Sequence, residues 1–388
     1  MYMKLIKLLK KYINLYISSS VPKTNKLLIF GSWLGEKYAD NPRYLFEYVI
    51  KNRPDLKAIW ITSNQDVFKE LQKKQYLVMM AEAPETRKIV KKAKYIFTAT
   101  GIFDIGEQNA NFVGGAYLIN LWHGIPLKKI MYDDKHSALH KRSKLVTWVE
   151  KIPLRNYFVI STSTAITQIY QSAFRVKKSN ILELGQPRND YFYDKSNPVS
   201  SLIQELKSKN IILYMPTHRN EGKKQIDLDK LMDLEHLNNW CEETKSIFVI
   251  KKHFYHSKEK TIDKKYSSII DVTNEKVDVQ ELLKCSNVLI TDYSSCYIDY
   301  LLLNRPIIFF NYDYDDYLRV DRSLYFPYEN VTPGEKCQNF DELLVTLQNL
   351  YVGKDDYREE RENIKTFFYS SETQKSVSEK IINHVLNL

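Results

Sequence analysis

The sequence has few cysteines and few glycines, and both shortages argue against whole classes of site. The four cysteines among 388 residues are scattered, with no CxxC or cysteine–histidine spacing, so neither a disulfide framework nor a zinc site is indicated. A reducing cytoplasmic compartment fits this pattern. The eleven glycines form neither GxGxxG nor GxxxxGK(S/T), which argues against a dinucleotide-binding enzyme and a P-loop nucleotidase. Any phosphate must therefore be held by hydroxyls, helix starts and basic side chains.

The sequence also lacks an apolar run long enough to span a bilayer, which takes about 20 residues. The first seventeen residues, MYMKLIKLLKKYINLYI, instead repeat lysine every three to four positions, with leucine, isoleucine and tyrosine on the other faces. This pattern predicts an amphipathic helix lying on anionic lipid, with an ordinary surface helix packed on the domain as the alternative. We assign residues 1–20 to a membrane-associating segment and expect a peripheral protein at the cytoplasmic face of the cell membrane.

The composition is that of a folded protein with two domains. Hydrophobic residues make up 44% of the chain and charged residues 27%, enough for sizeable cores, and single cores stop growing at roughly 250–300 residues. The net charge of +10 favours an anionic membrane surface or a polyanionic substrate as partner. Nucleic acid is not expected, because no zinc-finger, basic-zipper or helix-turn-helix pattern occurs. A homo-oligomer is compatible with these features.

Predicted strands and helices alternate along the chain in two series. The first series has strands at Leu27–Phe30, Ala58–Thr62, Tyr76–Met80, Tyr95–Ala99, Leu118–Trp122 and Tyr157–Ser161. The second has strands at Ile181–Leu184, Ile211–Met215, Ile247–Lys251, Ile269–Val272, Val288–Thr291 and Ile307–Phe310. Each series predicts a doubly wound α/β domain. The join near Gly185–Pro198 divides the chain into residues 21–185 and 186–388, which we expect to face each other across a cleft. For a closing helix near Ser370–Asn387, the sequence leaves open which half it packs against.

The stretch Asn287–Asn311 predicts a strand, a hydroxyl-rich turn, a helix and a second strand. The turn holds Thr291, Asp292, Ser294 and Ser295 at the carboxyl end of its strand, where open α/β sheets bind ligands. Its hydroxyls and the unpaired N–H groups of the helix start make a phosphate cradle. Helix capping by one of the two serines is the alternative.

Other predicted strands also end in basic or hydroxyl side chains. His123 follows the strand Leu118–Trp122, beside Gly124 and Lys128, and histidine readily accepts a proton near neutral pH. The further candidates at strand ends are Arg188, Thr217, His218, Arg219, Lys252 and His253. Together these groups predict a site for a doubly charged diphosphate on one rim of the fold. A turn or hinge role remains the alternative for His123 and Arg188.

An acidic run after the last of these strands offers a metal site as one reading. Asp313, Asp315 and Asp316 could hold a divalent ion on a nucleotide diphosphate. Their tyrosine-rich surroundings favour a solvated turn instead, so we expect neither a metal nor a cofactor.

Taken together, these motifs give the chain a resemblance to the CDP-glycerol glycerophosphotransferases, which include teichoic acid primases and polymerases. It is carried by LWHGIPLKK (121–129), GQPRND (185–190), MPTHR (215–219), KKH (251–253), TDYSS (291–295) and DYLLLNRPIIFF (299–310). The resemblance implies a GT-B architecture with the active site between two Rossmann-like domains, and membrane binding through an N-terminal region. It further implies transfer of glycerol phosphate from CDP-glycerol to the terminal hydroxyl of a lipid-linked acceptor, releasing CMP, in the synthesis of teichoic acid or a related surface polymer.

The resemblance also implies roles for individual residues. His123 matches the histidine proposed as general base, and His253 matches a second histidine needed at the diphosphate. The residues matched or assigned to the donor phosphates are Thr217, Arg219, Lys252, Thr291, Asp292, Ser294, Ser295 and Arg322. Gly124, Lys128 and Arg188 are assigned to the acceptor side or the hinge.

The chain departs from the family pattern at two positions. His218 stands where many relatives have a larger aromatic, and Phe254 where they often have proline. The first difference affects the loop shape, and the second affects the presentation of His253.

Three alternative functions remain open. Ribitol phosphate transfer from CDP-ribitol is the nearest alternative. The others are a GT-B glycosyltransferase that releases a nucleoside diphosphate, and a catalytically inactive membrane scaffold.

Overall fold

The fold comprises two parallel β-sheets, each flanked by helices. The computed structural model describes residues 2–143, 154, 156–194, 200–206, 208–219, 226–252, 262, 265–320 and 323–388. The first sheet contains β1 (Thr24–Phe30), β2 (Lys57–Thr62), β3 (Val78–Met80), β4 (Ala93–Thr98), β5 (Tyr117–Asn120), β6 (Tyr157–Ser161) and β7 (Ile181–Glu183). Its strand order is β3-β2-β1-β4-β5-β6-β7, with every pair parallel.

The second sheet has six described strands and the same doubly wound character. They are β8 (Asn210–Tyr214), β9 (Ser246–Ile250), β10 (Ile269–Asp271), β11 (Val288–Thr291), β12 (Ile307–Phe310) and β13 (Glu335–Cys337). The order is β10-β9-β8-β11-β12-β13, again all parallel. The predicted class, two Rossmann-like sheets in a GT-B arrangement, is confirmed.

Two strands differ from the expectation. The strand predicted at Ile181–Leu184 and assigned to the second series is β7 (Ile181–Glu183), and it forms the edge of the first sheet because it pairs with β6. The edge strand β13 was missed, because its three residues, Glu-Lys-Cys, carry neither an apolar run nor an alternating pattern.

Helices connect the strands and cover both faces of each sheet. In chain order they are α1 (Tyr2–Ser19), α2 (Asp40–Asn52), α3 (Gln65–Lys73), α4 (Pro84–Lys92), α5 (Glu107–Ala110), α6 (Thr164–Ala173), α7 (Ser201–Leu206), α8 (Leu228–Leu231), α9 (Leu234–Glu243), α10 (Val279–Cys285), α11 (Cys296–Tyr300), α12 (Tyr314–Val320), α13 (Phe340–Tyr351), α14 (Arg358–Phe368) and α15 (Val377–Leu386). The β11–α11–β12 unit is the one predicted from Asn287–Asn311.

The closing helix α15 returns to the first sheet. Val377 and Ile381 are buried in the same apolar cluster as Phe30 and Trp60. Asp190, in the connection between the sheets, accepts hydrogen bonds from the backbone N–H groups of Val377 and Ser378 at 2.8 and 2.7 Å. The chain therefore crosses the cleft a second time, and the division at residue 185 stays a prediction.

The N-terminal helix α1 presents one packed turn and one exposed apolar stripe. Leu15 is buried beside Ile29, and the Ser18 hydroxyl accepts a hydrogen bond from the Gly114 N–H at 3.0 Å. Ile6, Leu9, Ile13, Tyr16 and Ile17 are exposed on the outer side. Among the described residues, no helix combines the length and apolar character needed to cross a membrane.

Candidate active site

A cavity of about 600 Å³ lies between the two sheets. From the first sheet, Trp33 and residues 122–128 line it. From the second, residues 215–218, Lys251, Lys252, Thr273 and 293–295 do so. These residues lie in the loops that follow β1, β5, β8, β9, β10 and β11. Because carboxyl ends of parallel strands are where such sheets bind ligands, this cavity is the candidate active site.

His123 lies on the first rim of the cavity between two indole rings. Its ring centroid is 5.1 Å from that of Trp33 and 4.0 Å from that of Trp122. Burial lowers the pKa of His123 below 6.5. The negative charges of Asp40 and Asp104, and a hydrogen bond with the Ala99 backbone, act to raise that pKa. Its Nδ1 is buried and has no hydrogen-bond partner among the described residues. A mostly neutral imidazole with a vacant nitrogen can accept a proton near neutral pH.

The loops that carry this rim contain unusual backbone. Trp33, Leu34, Asp40 and Trp122 have φ values of 48°, 57°, 58° and 54°, in the left-handed region that costs non-glycine residues energy. Asp104 stabilises part of the rim. Its carboxylate accepts backbone hydrogen bonds from Leu34 and Ala99, each at 2.8 Å, and from Thr100 at 2.7 Å.

At Gly124 the two rims lie close together. Its φ is 144°, and a Cβ atom there would lie 3.2 Å from the Arg188 guanidinium and 3.7 Å from the Ser295 hydroxyl on the other rim. Glycine at this position therefore keeps the His123 loop close to the turn after β11.

Arg188 joins the two halves of the molecule behind that point. Its guanidinium pairs with Asp40 at 3.0 Å and with Asp299 of α11 at 2.7 Å, and it donates to the His123 carbonyl at 3.0 Å. Burial alone would lower the pKa of Arg188, but Asp299 and Asp40 raise it above its ordinary value. The contacts fit the hinge assignment. Neither carboxylate was singled out from the sequence, because they lie 148 and 111 positions away from Arg188 (188 − 40 and 299 − 188).

The second rim of the cavity presents hydroxyl groups. The Thr217 side chain lines the cavity, and its Oγ1 is buried with no partner among the described residues. Ser294 and Ser295 line it as well. Ser294 Oγ accepts a hydrogen bond from the Cys296 N–H at 3.4 Å, whereas the Ser295 side chain makes no capping bond. One serine therefore caps α11, and the other presents its hydroxyl near the Gly124 loop.

Three predicted donor-side residues lie behind the cavity wall. Thr291 is fully buried and donates to the Met215 carbonyl at 2.7 Å. Asp292 is fully buried and accepts the Thr217 N–H at 2.8 Å. Arg219 is paired with carboxylates on two sides. The structure thus brings these residues together as a support for the second rim.

Lysines are the cations in the described part of the cavity wall. Lys128 extends over the Tyr317 ring at 5.0 Å. The Lys251 ammonium donates to the backbone carbonyls of Val272 and Glu275, both at 2.9 Å, and the buried Lys252 lies 3.7 Å from the Asp271 carboxylate. His253 and Arg322 lie outside the described residues, so their predicted roles stay predictions.

The acidic run 313–316 is directed to other partners. Asp313 is bound to Arg219, and Asp316 forms an exposed pair with Arg319. In the described part of the chain, no three histidine, cysteine, aspartate or glutamate side chains are grouped so as to hold a metal ion.

The two sheets and the cavity between them define the class of fold as GT-B, and sequence comparison identifies the family. Residues 13–387 match the family model described as CDP-Glycerol:Poly(glycerophosphate) glycerophosphotransferase. The chain belongs to that family, which confirms the resemblance drawn from its motifs.

Several relatives and one solved structure agree with this assignment. The chain is 29% identical to a teichoic acid poly(glycerol phosphate) polymerase of Bacillus spizizenii, over 90% of this chain and 88% of the relative. It is 28% identical to a teichoic acid glycerol-phosphate transferase of Staphylococcus aureus, over 92% and 91%. A teichoic acid ribitol-phosphate primase of Bacillus spizizenii is 30% identical over 60% of each chain. The structure of the wall teichoic acid polymerase TagF superposes with a TM-score of 0.76 at 25% identity, covering 99% of this chain and 95% of that one.

Proposed function

We propose that this protein transfers glycerol phosphate from CDP-glycerol to the terminal hydroxyl of a membrane-linked acceptor and releases CMP, in teichoic acid or related cell-surface polymer synthesis. The observation that carries the proposal is a cavity with the unpaired, buried Nδ1 of His123 on one rim and the unpaired Thr217 hydroxyl on the other, among the described residues. Membership of the glycerophosphotransferase family supports the reaction class.

In the proposed reaction, His123 acts as the general base. It removes the proton from the acceptor hydroxyl, and the resulting oxygen attacks the β-phosphorus of CDP-glycerol. The bond between that phosphorus and the bridging oxygen breaks, and CMP leaves with the electron pair. Such a displacement needs alignment and charge neutralisation more than covalent chemistry, and the cavity offers both.

The second rim is proposed to hold the donor. Thr217 and Ser295 present hydroxyls to the phosphate oxygens, and Lys128 and Lys252 supply positive charge. His253 is proposed to assist at the diphosphate and Arg322 to add a cation, as the family pattern implies. A serine at a helix start beside lysines is a suitable environment for a diphosphate.

The test is incubation of the purified protein with CDP-glycerol and, separately, with CDP-ribitol, on a synthetic lipid-linked acceptor. We expect CMP and a product extended by glycerol phosphate, with the product length distinguishing single addition from polymerisation. The ribitol-phosphate primase among the relatives makes CDP-ribitol the second candidate donor, and faster turnover of that donor would replace the first assignment. Release of CDP or UDP would contradict both and indicate a glycosyltransferase.

We propose that this protein binds anionic lipid through α1. Membrane binding would then bring the active site to the lipid-linked acceptor. The exposed stripe that includes Leu9, Ile13 and Tyr16 supports this, because apolar side chains beside lysines bind the lipid interface. Removing residues 1–17, or introducing Ile13→Asn with Tyr16→Asn, should reduce sedimentation with anionic vesicles while CDP-glycerol binding persists. Val345→Asn, at an exposed apolar residue of α13, is the matched control. Unchanged sedimentation of the truncated protein would refute the membrane role.

A further inference from the structure

Arg219 is held between two carboxylates next to the cavity. Its Nε and Nη2 contact the two carboxylate oxygens of Asp313 at 2.7 and 3.0 Å. Its Nη1 lies 2.9 Å from the Asp292 carboxylate and donates to the Thr217 carbonyl at 2.6 Å. These contacts engage all three nitrogens of the guanidinium, and the Tyr312 hydroxyl also hydrogen-bonds to it. The side chain is 5% exposed.

The remaining surroundings of this guanidinium are aromatic. The rings of Tyr293, Tyr312 and Tyr317 lie 5.0, 5.4 and 5.2 Å from its central carbon. The Tyr293 hydroxyl also donates to Asp313 at 3.2 Å. Arg219 is absent from the cavity wall, which its neighbours Thr217 and Tyr293 do line. The cation is therefore enclosed by groups of the protein itself.

The charge balance of this cluster argues against a direct contact with a diphosphate. One guanidinium faces two carboxylates, so the Asp292–Arg219–Asp313 cluster carries a net charge of −1. Burial acts to lower the pKa of Arg219, but Asp292 and Asp313 raise it, which keeps the guanidinium charged. A cluster with net negative charge does not neutralise a dianionic ligand. That requirement falls on the lysines of the cavity wall.

The cluster does connect the two turns that form the second rim. Asp292 accepts the Thr217 N–H at 2.8 Å and the Tyr293 N–H at 2.6 Å. Thr217 follows β8 and Tyr293 follows β11, two strands that are neighbours in the second sheet. Arg219 orients the carboxylate of Asp292, and Asp313 orients Arg219 from a third strand end. The position of the unpaired Thr217 hydroxyl therefore depends on the contacts that link Asp313, Arg219 and Asp292.

We propose that Arg219 and Asp313 are positioning residues, which set the Thr217 hydroxyl and the Ser294–Ser295 turn for a nucleoside diphosphate donor without touching it. This assignment rests on the proposed function for the identity of the donor. It differs from the role that the family resemblance implied for Arg219, a position lining the donor phosphates.

Asp313→Asn separates the two roles by the sign of its effect. The amide keeps the volume of the carboxylate and removes its charge, so the cluster becomes neutral. If Arg219 contacted the diphosphate, its release from Asp313 would leave CDP-glycerol binding unchanged or strengthen it. As a positioning residue, it would lose its orientation. We then expect calorimetric binding of CDP-glycerol to weaken roughly tenfold, about the effect of one hydrogen bond.

A measurement without ligand tests the positioning directly. In the positioning role, Asp313→Asn should increase amide hydrogen exchange in peptides covering 211–219 and 288–295, although residue 313 is distant from both in sequence. Asp316→Asn, which breaks the exposed pair with Arg319, is the matched control and should change neither exchange nor binding. Arg219→Lys should raise exchange in the same peptides. The double variant of Arg219→Lys and Asp313→Asn should change exchange and CDP-glycerol binding no more than the more strongly affected single variant does. Both substitutions break the same set of contacts, so their effects should not add.

These measurements keep the two proposals distinguishable. If the unaltered protein binds no CDP-glycerol, the proposed function fails, while the exchange data still decide whether Arg219 and Asp313 hold the two turns. Unchanged exchange in Asp313→Asn would overturn the positioning role, as would donor binding equal to or tighter than that of the unaltered protein. If Arg219→Lys does not fold, Asp313→Asn alone decides.

Discussion

Each rim of the cavity is supported by a largely buried arginine between two carboxylates, but the two arginines connect different parts of the molecule. Arg188 takes its partners, Asp40 and Asp299, from opposite sides of the cleft. Arg219 takes Asp292 and Asp313 from neighbouring strand ends of one sheet. The first arginine therefore holds the halves of the molecule together beside His123, whereas the second shapes a single rim. The same arrangement of charges connects the two halves of the molecule at Arg188 and positions the side chains of one rim at Arg219.

The largest expected effect comes from removing the proposed base of the first rim. His123→Gln should lower kcat by about 10²–10⁴-fold, the usual contribution of a general base, while calorimetric affinity for CDP-glycerol stays close to that of the unaltered protein. His384→Gln, at an exposed histidine of α15, is the control. Retained turnover in His123→Gln would remove this residue from the chemistry.

The next effect separates Arg188 from a surface arginine, Arg319. Arg188→Met leaves two carboxylates without their partner, and breaking a buried pair in this way costs about 3–5 kcal/mol of unfolding free energy. Arg319→Met removes an exposed pair and should cost about 0–1 kcal/mol. Urea unfolding of both variants measures the difference. A loss in Arg188→Met no larger than in Arg319→Met would contradict the cross-cleft role.

A smaller effect, of opposite sign for stability and binding, is expected on the second rim. Thr217→Val removes a buried hydroxyl that has no partner in the described structure. The protein should unfold at an equal or higher temperature, while CDP-glycerol binding weakens roughly tenfold through the loss of one hydrogen bond. Thr373→Val is the matched control, because that buried hydroxyl donates to the Thr162 carbonyl at 2.6 Å. It should cost about 1 kcal/mol of stability and leave donor binding intact. A destabilised Thr217→Val with normal binding would contradict the donor role.

The smallest effect is a shift of the pH profile. Burial holds the pKa of His123 below 6.5, and a base must be neutral, so kcat/KM should fall only as the pH drops through that lowered pKa. Asp40 raises this pKa; Asp40→Asn should therefore move the acidic limb to still lower pH. Asp66→Asn, at an exposed residue of α3, should leave the limb in place. A limb that moves to higher pH in Asp40→Asn would contradict the assignment.

Much of this architecture was predictable, because strand periodicity and strand-end motifs are local signals. The predicted strands ending at Trp122, Met215, Lys251 and Thr291 identified four of the loops that line the cavity. Trp33 and Asp104 were not identified. Trp33 follows a strand that ends without a basic side chain and with one serine, Ser32, and Asp104 accepts hydrogen bonds from backbone N–H groups that no sequence pattern reveals. The run GSWLG, Gly31–Gly35, directly after β1 was the available signal for Trp33.

By itself, the sequence determined the class of fold, the family and the strand ends at which His123, Thr217 and Ser295 occur. Only the tertiary structure decided which charged groups are available to a ligand. Arg188 and Arg219 read alike in the sequence, as cations after a strand. Their carboxylate partners lie up to 148 positions away (188 − 40), and local periodicity contains no information about pairing over that distance. Folding brings those carboxylates into contact with both arginines, which supports the hinge alternative for Arg188 and the positioning role that we propose for Arg219.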